Sequence, residues 1–269
     1  MHIFSILARK NGRNTMFKKF ILIIATLGLG LLMFACSSPK EKNTLTLGLQ
    51  SGYPPYEYVD EQGHVVGFDV DIAQKIAAAM NKKLVIKEMG FDSLILALKN
   101  HKIDFIISGM SITESRLKEI DMVPYYGDEV THLQLIFWNS TAKSMQDLEG
   151  KTIAVQSGTL QEEILLKYSK IEPKVLENIQ ELVMDIKYNK SIAALVEPLI
   201  GNVLKYKHPE IQSIEVPLLP EQMIFGNGIG ISKENQDLKT SVEKVIKHLK
   251  ESGEMEQLHK KWFERVPAK

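Results

Sequence analysis

Between residues 44 and 110 the chain switches repeatedly between two hydrophobic periods. "NTLTLGLQ" puts apolar side chains at every second position, the spacing of a strand, and "KLVIKEM" and "IDFIIS" are short apolar runs of strand length. "GFDVDIAQKIAAAMNKK" spaces Phe68, Ile72, Ile76 and Met80 four apart on one helical face, with Asp69 and Asp71 in the first turn where the helix dipole favours acids. "FDSLILALKNHK" repeats the helical spacing through Leu94, Ile95 and Leu98. "SGYPPYEYVDEQGHVVG" is a loop punctuated by Pro54, Pro55 and Gly63 that ends in a short hairpin. Strand, helix, strand, helix, strand in this order predicts a parallel sheet with right-handed crossovers.

A second run of the same kind begins near "DLEGKTIAVQSG", where a strand through Ile153 and Val155 again ends in Ser-Gly and "TLQEEILLKY" opens a helix. "VLENIQELVMDIKYNK" and "SIAALVE" supply a further helix and strand, "GNGIGIS" a returning strand, and two helices finish the chain. Both halves share one device, a strand that ends in Ser-Gly before a helix start: Ser108-Gly109 and Ser157-Gly158. Doubly wound sheets carry such loops on their carboxyl edge, where small anions bind. The pattern therefore predicts an α/β chain of two lobes with two parallel-type sheets facing across a cleft. "THLQLIFW" and "GNGIGIS" are the expected crossings, which makes a two-strand hinge. In "IISGMSITESRLKEI", Ile106 and Ile107 read as the end of a buried strand, Leu117 and Ile120 as the inner face of a short helix, and Arg116 as the charge held between them.

The start of the chain stands apart from this pattern. Lys18 and Lys19 precede an apolar run from Phe20 to Ala35 and then Cys36, the only cysteine. That is the layout of a secretory signal, at the short end for a membrane span and with no basic stop beyond it. Residues 1–35 read as a signal peptide, with Met16 as an alternative start, and residues 36–43 as a tether lipidated at Cys36; a plain secreted protein is the second reading. The expected lobes are residues 44–129 with 226–269, and residues 130–225. Five basic residues and no acid fall within the leader, so the remainder carries 28 basic against 33 acidic side chains, a net of −5. That balance argues against nucleic acid. With Cys36 lipidated no thiol remains for a disulfide or a metal thiolate, the seven histidines show no ligand spacing, and His248 and His259 read as surface residues. No metal and no cofactor is expected; "GNGIG" lacks the third glycine and the following helix of a dinucleotide fingerprint.

The stretches "GYPPYEYVDEQGHVVGFDVDIA", "FDSLILALKNHKIDFIISGMSITESR", "DLEGKTIAVQSGT" and "FGNGIGISKEN" together resemble the periplasmic amino-acid-binding proteins of ABC importers, the polar and basic group, and look most like arginine-binding members. The resemblance runs from about Leu45 to Phe263. It implies the two-lobed periplasmic-binding-protein fold (type II) and a receptor that carries a free L-amino acid to an ABC permease. It also implies a monomer held to the membrane by its lipid, at the periplasm or cell surface. Arg116 would take the ligand's α-carboxylate, since a planar, permanently charged fork suits that group. The Ser111 amide and the helix start at Thr159, Leu160 and Gln161 would complete that shell. Glu197 would take the α-ammonium, helped by the Gly109 carbonyl and the Ser111 hydroxyl, with Ser108 and Met110 beside them.

The ligand side chain is expected between Tyr53 and Phe91, whose ring faces attract cations and cover methylenes. Gln50, Ser51, Gln161, Glu57 and Glu129 are the candidates for its distal nitrogens. Relatives that bind basic ligands often carry an acid where Gln50 stands, and a neutral distal pocket favours glutamine or histidine. Each residue also has a plainer reading. Arg116 could pair with Glu114 or Glu119 on its own helix, Glu197 could cap the helix that starts at Pro198, Tyr53 could be a turn aromatic and Phe91 a core residue. A dehydratase on the same scaffold is the enzymatic alternative, but "SGMSIT" has Ile112 where a nucleophile elbow needs glycine.

Overall fold

The computed structural model describes residues 43–264 apart from positions 139 and 141. The leader, Cys36 and most of its tether therefore lie outside the described residues. Among those described, no helix is long and apolar enough to cross a membrane.

The first sheet holds five strands in the order β4-β1-β5-β12-β6. Here β1 is Thr44–Leu49, β4 Lys83–Glu88, β5 Phe105–Ile106, β6 Asp121–Val130 and β12 Ile224–Ile231. β1 runs parallel to both β4 and β5, as the βαβ pattern requires, while β12 is antiparallel to β5 and β6. A small hairpin, β2 (Tyr58–Val59) with β3 (Val65–Val66), lies in the loop after β1. The second sheet has the order β11-β7-β10-β8-β9. Its strands are β7 His132–Phe137, β8 Thr152–Gln156, β9 Glu172–Leu176, β10 Ala193–Val196 and β11 Gln212–Pro217. β8 is parallel to β9 and β10, and β7 is antiparallel to β10 and β11. Both sheets are thus mixed rather than parallel throughout.

Helices α1 (Phe68–Ala79), α2 (Leu94–Lys99) and α3 (Glu114–Glu119) follow strands of the first sheet. Helices α4 (Leu160–Leu165), α5 (Ile179–Lys187) and α6 (Pro198–Lys207) belong to the second run, and α7 (Gln236–Glu251) and α8 (Glu254–Phe263) end the chain. The α1 stripe is core: Phe68, Ile72 and Ile76 are fully buried, each worth roughly 1.5–3 kcal/mol of transfer free energy. Met80 caps the helix at the edge of that core. α7 and α8 pack on α1, and Leu238, Val242, Ile246, Met255 and Phe263 share the core of the first sheet. His248 is exposed, but His259 stacks on Tyr126 and Phe263 and is half-buried, which corrects its reading as a surface residue.

Three expectations change. The "THLQLIFW" strand, β7, lies wholly in the second sheet, so it is not a crossing; the chain passes over at Thr131, between β6 and β7, and returns between β11 and β12. The connecting ribbon is β6 paired with β12, from Ile224↔Val130 to Ile231↔Asp121. Ile224 at one end packs into the second sheet's core and Ile229 at the other into the first. Leu117 is 44% exposed, because α3 turns Arg116 inward instead; Ile120, already extended beyond the helix, is buried as expected. Asp69 is fully buried: it accepts hydrogen bonds from the Gly109 backbone N–H and the Tyr125 hydroxyl, both at 2.7 Å. Only Asp71 stays near the surface, where it takes Lys261 and the Trp262 indole N–H.

Candidate functional site

The carboxyl ends of β1, β5, β8 and β10 converge on one cleft with an empty volume of about 470 Å³, counting its mouth. Gln50 follows β1, Ser108, Gly109 and Ser111 follow β5, Gln156 ends β8, and Glu197 follows β10. Arg116 reaches the cleft from α3, Thr159 and Gln161 from the start of α4, Tyr53 from the loop after β1, and Phe91 from the turn before α2.

Arg116 is 6% exposed. The Thr113 hydroxyl accepts its backbone N–H and so starts α3 at the position that aims the guanidinium into the cleft. Nη1 donates to the Ser111 carbonyl at 2.7 Å and Nη2 to the Gly158 carbonyl at 3.1 Å, so one planar group bridges loops of both sheets. Its Cζ lies 5.3 Å from the centre of the Phe91 ring. Burial lowers the Arg116 pKa, opposed by Glu197 and Glu163, and the group keeps its charge. The rival pairing on its own helix is not made: Glu119 pairs with Lys99 instead.

Glu197 is 9% exposed and occupies the N-cap position of α6 without capping it. Its carboxylate accepts the Ser111 hydroxyl at 2.5 Å and the Tyr53 hydroxyl at 3.4 Å. Burial raises its pKa, with the Ser111 hydrogen bond and the charge of Arg116 acting the other way. Tyr53 packs against the cores of both sheets, so it is more than a turn aromatic.

Other side chains tie the two loop sets together. Gln50 Nε2 donates to the Glu177 carbonyl at 3.0 Å and Gln156 Nε2 to Gln50 Oε1 at 2.5 Å. Gln180 Nε2 donates to the Gly52 carbonyl at 2.8 Å and the Ser157 hydroxyl to Asp92 at 3.0 Å. Gly158 sits so close to Asp92 that a Cβ there would come within 2.6 Å of the Asp92 Cα.

Arg116, Glu197, Ser111, Gly109, Ser108, Tyr53, Phe91, Gln50, Thr159 and Gln161 all line this cleft, and Glu57 joins them. Thr159 has its hydroxyl engaged, donating to the Gln156 carbonyl and capping α4. Ser51, Met110, Leu160 and Glu129 do not line it. The Ser51 hydroxyl donates to Glu88, Met110 is core beside Leu94 and Ile106, Leu160 is core of the second sheet, and Glu129 is exposed on β6. Gln156, Ile179, Leu195 and Val196 complete the lining and were not singled out from sequence. Gln156 directly precedes the second Ser-Gly pair, which was the available signal; Leu195 and Val196 read only as strand core. Among the described residues no group of three or more His, Cys, Asp or Glu could hold a metal ion.

A buried guanidinium, a buried carboxylate, hydroxyls and two ring faces in one cleft can meet both charges of a zwitterion and a flat or extended side chain. Comparison with known proteins agrees with that chemistry. The sequence signature of bacterial extracellular solute-binding proteins, family 3, spans residues 45–265. A probable ABC transporter arginine-binding protein of Chlamydia trachomatis serovar D, ArtJ, is 38% identical over 216 residues, 80% of this chain and 84% of its own. The arginine-binding extracellular protein ArtP of Bacillus subtilis is 30% identical over 257 residues, 91% of this chain and 98% of its own. Among solved structures, a mutant of ArgBP from T. maritima superposes with a TM-score of 0.76 at 35% identity, covering 84% of this chain and 97% of that one.

Proposed function

The chain belongs to bacterial extracellular solute-binding protein family 3, and from that premise we propose that it binds one free L-amino acid, arginine before others, in this cleft and delivers it to an ABC permease. The observation that carries the reading is the placement of buried Arg116 and buried Glu197 on one cleft. Arg116 takes the α-carboxylate and Glu197, with the Ser111 hydroxyl, the α-ammonium. Removing one partner of a desolvated ion pair costs roughly 3–5 kcal/mol, a large share of the roughly 8–12 kcal/mol of micromolar to nanomolar binding. The side chain runs between Tyr53 and Phe91 toward Gln50, Gln156 and Gln161. Residues 44–129 with 226–269 act as one lobe and residues 130–225 as the other, closing on the β6–β12 ribbon. The receptor works as a monomer outside the cytoplasm, held by a lipid on Cys36.

A second reading has its own observation. The amides of Gln50, Gln156 and Gln161 are neutral, which suits glutamine, or histidine, as well as a guanidinium. A dehydratase reading is weaker, because Glu197, the base it needs, is already bonded to the Ser111 and Tyr53 hydroxyls. Calorimetric titration of the ligand-stripped protein with each of the twenty amino acids, repeated with Arg116→Ala, tests all three. One-to-one arginine binding that the variant loses is the expected result. Preference for glutamine or histidine would select the second reading, and no binding of any amino acid would remove both.

A further inference from the structure

Glu57 lines the cleft, yet its surroundings are those of a group held in place rather than one offered to a ligand. It pairs through its backbone with Tyr53 and is 1% exposed. Its Oε1 accepts the Ser108 hydroxyl at 2.9 Å, and Ser108 Oγ in turn accepts the Gln50 backbone N–H at 3.0 Å. Its Oε2 is buried and meets no donor. Its neighbour is the buried carboxyl group of Asp69, which already accepts the Gly109 N–H and the Tyr125 hydroxyl. Two carboxyl groups buried side by side cannot both ionise cheaply, so one of them keeps a proton. Asp69 has two donors of its own and is the better anion; Glu57 has one, and a free oxygen from which a proton can point.

We propose that Glu57 is a positioning residue that keeps a proton at neutral pH and donates it from Oε2 to Asp69, so that Ser108 and Gly109 are fixed beneath the cleft. The order of acidities agrees. Burial, then the charge of Asp69, holds Glu57 well above the ordinary carboxylate range, while Asp69 stands at about 6, raised by burial and held back by its donors. The other titratable or charged groups around the pair are Tyr53 and Tyr56 of the same turn, Tyr125 of β6, and Glu197 and Arg116 across the cleft. Loss of the proton sets two anions face to face, and the Ser108–Gly109 turn is no longer fixed. Ligand affinity then falls as pH rises, and Glu57 is withdrawn from the ligand's distal nitrogens. The affinity half of this proposal rests on the amino-acid reading above; the proton does not.

Infrared difference spectroscopy of the whole chain reads the C=O stretch of a carboxylic acid, which a carboxylate lacks. The expected result is an acid band at neutral pH that Glu57→Gln abolishes and that disappears from the wild type at alkaline pH. A band missing from the wild type, or surviving in the variant, overturns the proposal. Carbon-13 labelling of glutamate carboxyls shifts the same band and separates it from Asp69, and a band that persists in Glu197→Gln is not that of the other buried glutamate, should Glu57→Gln not fold. Arginine titrations across the same pH series supply the second readout. Above the infrared transition the wild type loses affinity by about tenfold per pH unit, beyond the loss that the ligand's own ammonium imposes on both proteins. Glu57→Gln keeps an acceptor for Ser108 and a donor for Asp69 but cannot titrate, and it shows only the ligand's share. Coincident profiles would refute the positioning role. If neither protein binds arginine at any pH, the amino-acid reading has failed, and the infrared band alone decides the proton.

Discussion

Arg116 and Leu117 are neighbours on α3, and the helix resolves their competition against the hydropathy of the two side chains. Leucine is left outside because α3 is only one and a half turns long and one inward position is all it has to give. Guanidinium geometry, not charge alone, holds the two carbonyls of Ser111 and Gly158, so Arg116→Lys keeps the charge and loses the bridge. Arginine affinity is expected to fall by roughly 100-fold, about 3 kcal/mol, measured by calorimetry, while Leu117→Ser stays within about 0.5 kcal/mol of wild-type stability. Sequence named most of the residues that line the cleft but not Gln156, Ile179, Leu195 or Val196, and it could not give the direction of any side chain. Arg116, Glu197 and Tyr53 stood out, but nothing local tells that Met110 points into the core or that Ser51 turns away to Glu88. Glu57 makes a second residue-scale prediction. Its folded pKa is raised above an ordinary value of 4.5, so the native state binds the extra proton. That contribution is complete below the unfolded value and is lost as pH rises toward the folded one. Glu57→Gln has no such slope. Its stability relative to wild type should therefore rise by about 1.4 kcal/mol per pH unit through that window, and urea unfolding at a series of pH values checks it. A difference that is flat with pH would mean Glu57 ionises normally.

At the scale of elements, the two βαβ runs could be read because each buried strand and helix has one dominant period. β6, β9 and β11 could not, and all three are edge strands. Edges tolerate proline and charge, since one side of the ladder has no partner to satisfy. β6 carries Pro124 and Asp128, β9 Pro173 and β11 Pro217, which on paper look like breakers. Missing β6 is also why the crossing was assigned to β7. The ribbon that connects the sheets has a feature no sequence period shows: the β6–β12 register shifts between Phe225 and Gly228, where Gly127 and Gly226 face each other in left-handed conformations. A Cβ on Gly226 would lie 2.6 Å from the Gly127 carbonyl oxygen, a backbone atom that cannot swing aside. The Gly226 carbonyl also accepts the Ile112 N–H at 2.9 Å, so the irregular ribbon holds the loop that carries Ser111. Gly226→Ala should thus cost about 1–3 kcal/mol of stability and weaken ligand binding as well. Denaturant midpoints and arginine titration read the two effects separately, and a variant with wild-type values in both would show that the ribbon adapts freely.

For the whole molecule the question is how much of closure the protein supplies itself and how much it leaves to the ligand. Most side-chain contacts across the cleft are polar: Gln50 to Gln156 and Glu177, Gln180 to Gly52, Ser157 to Asp92, Arg116 to Gly158, and Ser111 and Tyr53 to Glu197, with Tyr53 also packed on both cores. A net hydrogen bond is worth about 0.5–1.5 kcal/mol, so such a set holds the closed arrangement without locking it, as a receptor that must release its cargo requires. None of this was legible in sequence, because each pair lies far apart along the chain and no local pattern links its members. Ser157 offers the cleanest probe. Its hydroxyl reaches Asp92 from the rim, outside the residues that line the cleft. Ser157→Ala therefore removes one closing link and no ligand contact. On the proposed hinge mechanism the ligand is met before closure, without this bond, so the association rate should stay within about twofold, whereas dissociation should quicken by about 2–10-fold. Stopped-flow fluorescence of arginine binding separates the two rates. Gly158→Ala sets the opposite limit, for its Cβ would meet the Asp92 backbone and oppose closure itself. A Ser157→Ala variant that slowed association instead would mean the Ser157–Asp92 bond forms before the ligand is engaged, and the closed arrangement would then precede binding rather than follow it.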